Sequence, residues 1–126
     1  MLQCMRYEEA VRWAEDWIES WNAHDLERVL DHFSPDAIFS SPFVAIATGQ
    51  ENALRGREQL ERYWREGLRL LPALHFDLEE VLVGVGTLAI SYRNERGRSA
   101  LEVLEIGADR LASRGWALYG PEASQP

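Results

Sequence analysis

Along residues 7 to 21 the apolar side chains Ala10, Trp13, Ala14, Trp17, Ile18 and Trp21 recur at steps of three and four, with Glu8, Glu9, Arg12, Glu15, Asp16 and Glu19 between them. That period predicts an α-helix with one apolar stripe. Asn22-Ala23-His24-Asp25 interrupts it, and Asp25 is suited to cap a second short helix whose buried side is Leu26, Val29, Leu30 and Phe33. Ser34-Pro35-Asp36 predicts a turn, 37–41 a short strand stopped by Pro42, and 43–56 a surface loop turning near Gly49 to Asn52. A third helix is predicted over 57–71, with Leu60, Tyr63, Trp64, Leu68 and Leu71 on one side. Glu58 pairs with Arg62 and Glu61 with Arg65 on the other, and Pro72 ends the helix. Four strands follow near 74–85, 87–94, 98–107 and 111–119, separated by glycine-containing turns. The first is long enough to need a bulge near Glu79-Glu80. Three helices, then a run of strands, predict an α+β fold in which the helices pack on one face of a curved antiparallel sheet.

The register of one hairpin follows from its turn. With Glu95-Arg96-Gly97 as a three-residue loop and Gly97 in the left-handed region, Asn94 faces Arg98 and even-numbered residues face even-numbered ones. One face then carries Leu88, Ile90, Tyr92, Ala100, Glu102, Leu104 and Ile106, and the other Ala89, Ser91, Arg93, Leu101, Val103 and Glu105. Glu102 is the one ionisable carboxyl on the apolar face. A carboxylate there must be paired, protonated or functional, because burying its isolated charge is costly.

Composition narrows the picture. The chain has 126 residues, 46% hydrophobic and 27% charged, which suits one globular domain over 1–126 with fraying expected at 1–6 and 120–126. Its net charge of −8, with acids spread along the chain, disfavours binding to nucleic acid or to an anionic membrane. The lone Cys4 forms no internal disulfide, and no apolar run of signal-peptide or membrane-spanning length is found, so a cytoplasmic location is expected. Histidines and carboxylates lack metal-ligand spacing, Gly84-Val85-Gly86 reads as a turn rather than a phosphate loop, and neither metal nor cofactor is expected.

Trp21-Asn22-Ala23-His24-Asp25-Leu26, Phe33 with Asp36-Ala37-Ile38-Phe39, Leu54-Arg55-Gly56-Arg57, Tyr92-Arg93-Asn94 and Glu102-Val103-Leu104 together resemble the SnoaL-like branch of the nuclear transport factor 2-like superfamily. The resemblance spans nearly the whole chain. It implies a cone (a cystatin-like fold) in which helices close one side of a strongly curved antiparallel sheet, leaving a pocket at the wide end. Many such proteins dimerise through the outer sheet face. The superfamily includes ketosteroid isomerases, polyketide cyclases, dehydratases, epoxide hydrolases and pocketed proteins without known catalysis, so membership assigns no reaction. Carried over residue by residue, the isomerases' phenolic position falls on Trp17, their general base on Ser41 and their neutral carboxylic acid on Glu102. One of three functional groups survives, which disfavours steroid isomerisation by that mechanism.

The candidate catalytic residue is therefore Glu102, as general acid, base or hydrogen-bond anchor; the competing reading is a salt bridge to one of the 13 arginines. Candidate ligand-binding residues are Trp17, Phe39, Ser41, Tyr63, Trp64, Phe76, Tyr92 and Tyr119, which suit a flat apolar or aromatic molecule. Ser41 beside Pro42 equally completes a turn, and several of the aromatic residues equally fill the core. His24 reads as a structural turn residue, His32 as exposed on the second helix, and His75 as a neighbour of an inward Phe76. Two functional classes stand: a small-molecule pocket protein with cofactor-independent acid/base chemistry, or a non-catalytic binding or dimerisation module. Leu101 and Val103 on the outer face predict a homodimer.

Overall fold

The computed structural model describes residues 5–44 and 52–121. Helix α1 spans Tyr7–Asn22 and α2 Leu26–Leu30; β1 is Phe33–Ser40, β2 Ala53–Arg55 and α3 Gly56–Leu70. Four strands complete the chain: β3 Asp77–Gly84, β4 Thr87–Arg93, β5 Ser99–Ile106 and β6 Ala112–Tyr119. The strands form one curved, unclosed sheet in the order β2-β1-β6-β5-β4-β3. The fold is α+β, with α1 lying against β3 and α3 against β1.

The amphipathic periods place the helices as predicted. Ala10, Ala14, Trp17, Ile18 and Trp21 of α1 are buried, as are Leu60 and Trp64 of α3. Asp25 caps α2 by accepting a bond from the Arg28 amide at 3.2 Å, and the Glu58–Arg62 and Glu61–Arg65 pairs form on the outer side of α3. The β4–β5 hairpin has the register its turn dictates. Gly97 sits at φ +73, where a Cβ would be strained, and the Asn94 amide donates to the Arg98 carbonyl. Tyr92 then faces Ala100 and Ile90 faces Glu102. The whole predicted apolar face is buried. The expected irregularity in β3 falls between Leu78 and Glu80.

Several expectations are corrected. The sheet is not wholly antiparallel, because β1 and β6 run parallel. Ser34-Pro35-Asp36 is not a turn before the strand but lies within β1, across a register shift between Phe33 and Ile38; there a proline without an amide donor is accommodated. Phe33 accordingly belongs to β1 rather than to α2. Within the stretch read as a loop, Ala53 to Arg55 form β2, whose hydrogen bonds come from β1, a partner invisible to a local period. The expected turn tip at residues 49–52 lies, but for Asn52, outside the described residues. At the N-terminus Met5 is buried in the core rather than frayed.

His32 corrects a further reading, since it is 8% exposed. Its Nδ1 lies 2.8 Å from the Arg28 carbonyl, its Nε2 2.9 Å from Asp16 Oδ2, and its ring meets Trp13 edge-on. Gly115 of β6 makes room beside the future site: a Cβ there would lie 2.8 Å from Leu104 and 3.1 Å from Phe39.

Candidate functional site

The inner face of the sheet and the helices do not meet everywhere. Between them lies a cavity of about 320 Å³, walled by Trp17 and Trp21 of α1, Phe33 and Phe39 of β1, Tyr63 and Trp64 of α3, and Phe76, Tyr92, Ala100, Glu102 and Tyr119 from the sheet side. All nine residues singled out from the sequence line this one cavity. Trp17 stacks on Phe76 with ring centres 6.1 Å apart, and Phe76 meets Tyr92 at 4.3 Å. Trp64 packs against Trp21, Phe33 and Phe39 at 5.1 to 5.5 Å.

Glu102 is the chemical centre of the wall. Its strand register turns it inward with 5% exposure, and the Tyr92 phenol donates a 3.2 Å hydrogen bond to its Oε1. Burial pushes its carboxyl up to about 8, against the Tyr92 hydrogen bond, which favours the charged form. At neutral pH the side chain is therefore mostly a neutral acid. Among the described residues its Oε2 has no hydrogen-bond partner. Among the described residues the arginine pair considered from the sequence is absent: no arginine or histidine lines the cavity, whereas Glu66 and Glu95 do.

Among the described residues, three buried side-chain polar atoms lack a partner: Glu102 Oε2, Trp17 Nε1 and Trp21 Nε1. All three belong to residues of this wall. Buried polar groups are normally satisfied, so such a cluster sets this region apart from the rest of the core. Two phenols complete the polar inventory. Burial and then the Glu102 charge raise Tyr119, against a hydrogen bond with Ser41, and burial raises Tyr63. Ser41 combines both roles considered for it: it lines the cavity, and its Oγ accepts from the Phe43 amide at 3.3 Å to close a turn.

Sequence reading missed Trp21, Phe33 and Phe43 as lining residues, and the rim formed by Gly67, Leu70, Leu71 and Leu74 with Asn94 and Glu95. Trp21 had the same helical spacing as Trp17, so its period could have identified it. The rim had no local signal beyond the apolar, exposed Leu70 and Leu71 at the end of α3. Of the histidines, His75 is exposed and pairs with Asp77 at 3.2 Å, while Phe76 turns inward. Among the described residues no group of three metal-ligating side chains converges, and no helix is long and apolar enough to cross a membrane.

Comparison with known proteins agrees with this architecture. The family model of the SnoaL-like domain matches residues 14–118. A SnoaL-like protein of unknown function from Burkholderia thailandensis is 40% identical, with 94% of this chain and 99% of that chain covered and a TM-score of 0.89. More distant structures share the fold. TerC, co-crystallised with polyporic acid, is 13% identical over 91% of this chain and 94% of its own, with a TM-score of 0.75. A candidate ketosteroid isomerase from Kribbella flavida is 20% identical over 94% and 82%, with a TM-score of 0.71. Comparison with curated proteins gave no match. The cone-like sheet, the inward aromatic wall and the match over most of the chain lead to one conclusion: this protein belongs to the SnoaL-like domain family.

Proposed function

We propose that the cavity binds an uncharged, flat, apolar or aromatic metabolite bearing an oxygen acceptor. Glu102 donates a hydrogen bond to that oxygen and exchanges a proton with it in cofactor-independent acid/base chemistry. The observation that carries the reading is the unpartnered Oε2 of a buried carboxyl on an aromatic wall without a cation. A neutral acid in that position has an O–H to offer, and a group raised to about 8 gives up or accepts a proton near physiological pH at small cost. The absence of a lining cation among the described residues, with Glu66 and Glu95 at the rim, favours uncharged ligands over carboxylates and phosphates. TerC, co-crystallised with polyporic acid, is a precedent within the fold for an organic small molecule.

Fluorescence titration with 9-fluorenone tests this. Saturable quenching of the tryptophans is expected at pH 6, weakening as pH rises through 8. Glu102→Gln should bind without that pH dependence, and Glu102→Leu about tenfold more weakly, one hydrogen bond's worth. Fluorenone-2-carboxylate should bind worse than the ketone. Equal binding by wild type and Glu102→Leu at both pH values refutes the role of the carboxyl.

A second reading is binding without turnover, favoured by Ser41 and Trp17 standing where the isomerase pattern has a base and a phenol. Deuterium exchange into cyclohexanone in heavy water, followed by NMR, separates the two: exchange above the Glu102→Gln background supports chemistry, and its absence supports the binding module. We also propose self-association through the outer sheet face, where Leu82, Ala89, Val103 and Trp116 form one cross-strand row and Ser91, Leu101 and Leu118 the next. Leu82 and Leu118 are exposed. A monomer in sedimentation at micromolar concentration refutes it.

A further inference from the structure

The connector from α3 to β3, residues 71–76, forms one side of the cavity and is a single layer thick. Leu71, Leu74 and Phe76 line the cavity, while Pro72, Ala73 and His75 are exposed. Little of its own backbone holds it in place. The Leu71 amide finishes α3 on the Gly67 carbonyl, and the Leu74 amide bonds the Leu71 carbonyl in a tight turn. The next backbone groups are taken by two side chains that follow α1's apolar stripe. Asn22 clamps residue 76 on both sides, its Oδ1 accepting from the Phe76 amide at 2.7 Å and its Nδ2 donating to the Phe76 carbonyl at 2.9 Å. His24 Nε2 lies 2.9 Å from the Leu74 carbonyl and donates to it.

His24 reaches that carbonyl from a left-handed backbone, at φ +55, a conformation that costs free energy for a residue with a Cβ. A simple turn between α1 and α2 would take glycine there. The residue present instead accepts the strain and spends its ring on the connector. Asn22, likewise, ends α1 with an amide whose two ends match one peptide's donor and acceptor, a fit that aspartate or leucine cannot reproduce.

We propose that Asn22 and His24 are positioning residues of the candidate site: acting through the backbone of Leu74 and Phe76, they hold the cavity wall closed and set which ligands fit. The proposal rests on the pocket reading only for its ligand arm. Phe76 is the ring on which Trp17 stacks and against which Tyr92 rests, and the Tyr92 phenol in turn bonds Glu102. The clamp at residue 76 is thus connected to the acid by contiguous contacts.

The test compares Asn22→Leu and His24→Asn with wild type. Asparagine at 24 tolerates the left-handed backbone but is too short to reproduce the imidazole bond. Arg110→Ala, at a residue that does not line the cavity and has a left-handed φ of +65, serves as a destabilised control. Two readouts need no ligand: amide exchange at Leu74 and Phe76, and acrylamide quenching of the cavity tryptophans. Both variants should raise exchange there at least tenfold with the β4–β5 amides unchanged, and should raise the quenching constant; Arg110→Ala should do neither. With 9-fluorenone, dissociation should quicken and affinity fall about tenfold in both variants, with the Glu102 titration midpoint kept in His24→Asn. If Asn22→Leu does not fold, His24→Asn decides. Wild-type exchange and quenching in a folded variant overturn the proposal, as does faster exchange with unchanged quenching. If wild type itself binds no fluorenone, the pocket reading fails while the exchange and quenching arms still judge this one.

Discussion

Two buried titratable side chains, His32 and Glu102, have opposite surroundings. His32 has a partner at each ring nitrogen, the Arg28 carbonyl and the Asp16 carboxyl, and Trp13 closes over it with its own N–H given to the Arg110 carbonyl at 2.8 Å. Among the described residues Glu102 has one oxygen bonded and one not, and Trp17, near its partner Tyr92, has no acceptor for its N–H. Both regions touch the same helix α1. The first is finished by the protein itself, as core polar groups should be, and adds to stability. The second is left incomplete around a cavity, where incompleteness costs stability and is useful only to something that enters. Polar satisfaction, more than burial or residue type, separates a structural histidine from a candidate functional acid here.

The largest effect that sharpens this contrast is pH-linked. Glu102 is raised to about 8 in the fold from an ordinary value of 4.5, so the folded state binds the proton more tightly than the unfolded state. Its contribution to stability is complete below about pH 4.5, declines as pH rises, and is gone above about 8. The slope within that window approaches about 1.4 kcal/mol per pH unit. Urea denaturation at several pH values should show it, and Glu102→Leu should flatten it and exceed wild type in stability at pH 8. A wild-type stability that rises over the same window breaks the comparison.

Next in size, His32→Ala should cost about 2 to 3 kcal/mol, because it removes packing against Trp13, the ring's bond to the Arg28 carbonyl and its contact with Asp16 Oδ2, leaving Asp16 only the Arg28 guanidinium. Denaturation measures this, and fluorenone affinity should stay at the wild-type value. A loss below about 0.5 kcal/mol contradicts a structural His32. Gly115→Ala should cost about 1 to 2 kcal/mol, since the new methyl must displace Leu104 or Phe39. If Phe39 yields, the cavity narrows, and fluorenone binding weakens with no polar group altered. The smallest effect is Tyr92→Phe. Losing the hydrogen bond that favours the charged form moves the Glu102 midpoint upward, read by carbon-13 NMR of its carboxyl; a downward move shows that the phenol does not donate to it.

Local chemistry made much of this legible. Gly97 and the three-residue turn set the β4–β5 register, and because side chains alternate with period two, that register alone turned Glu102 inward among Leu88, Ile90 and Leu104. The α1 and α3 stripes were equally readable, because a 3.6-residue period needs no partner to be seen. His32 was misread because its burial depends on Trp13 one helix away and on β6, where the Ala112 amide bonds the His32 carbonyl. The parallel β1–β6 pair and the short β2 also arise from contacts between distant segments.

What the amino-acid order determined by itself is therefore the set of faces: which side chains share a helix stripe or a strand side, and that one of them is an acid among apolar neighbours. Whether an arginine would reach that acid, whether the space before it would be filled, and what Asn22 and His24 hold were decided only by tertiary structure. Those outcomes depend on where residues fifty positions apart come to rest. Periodicity reports the direction of a side chain from its own backbone and carries no information about the distance to another.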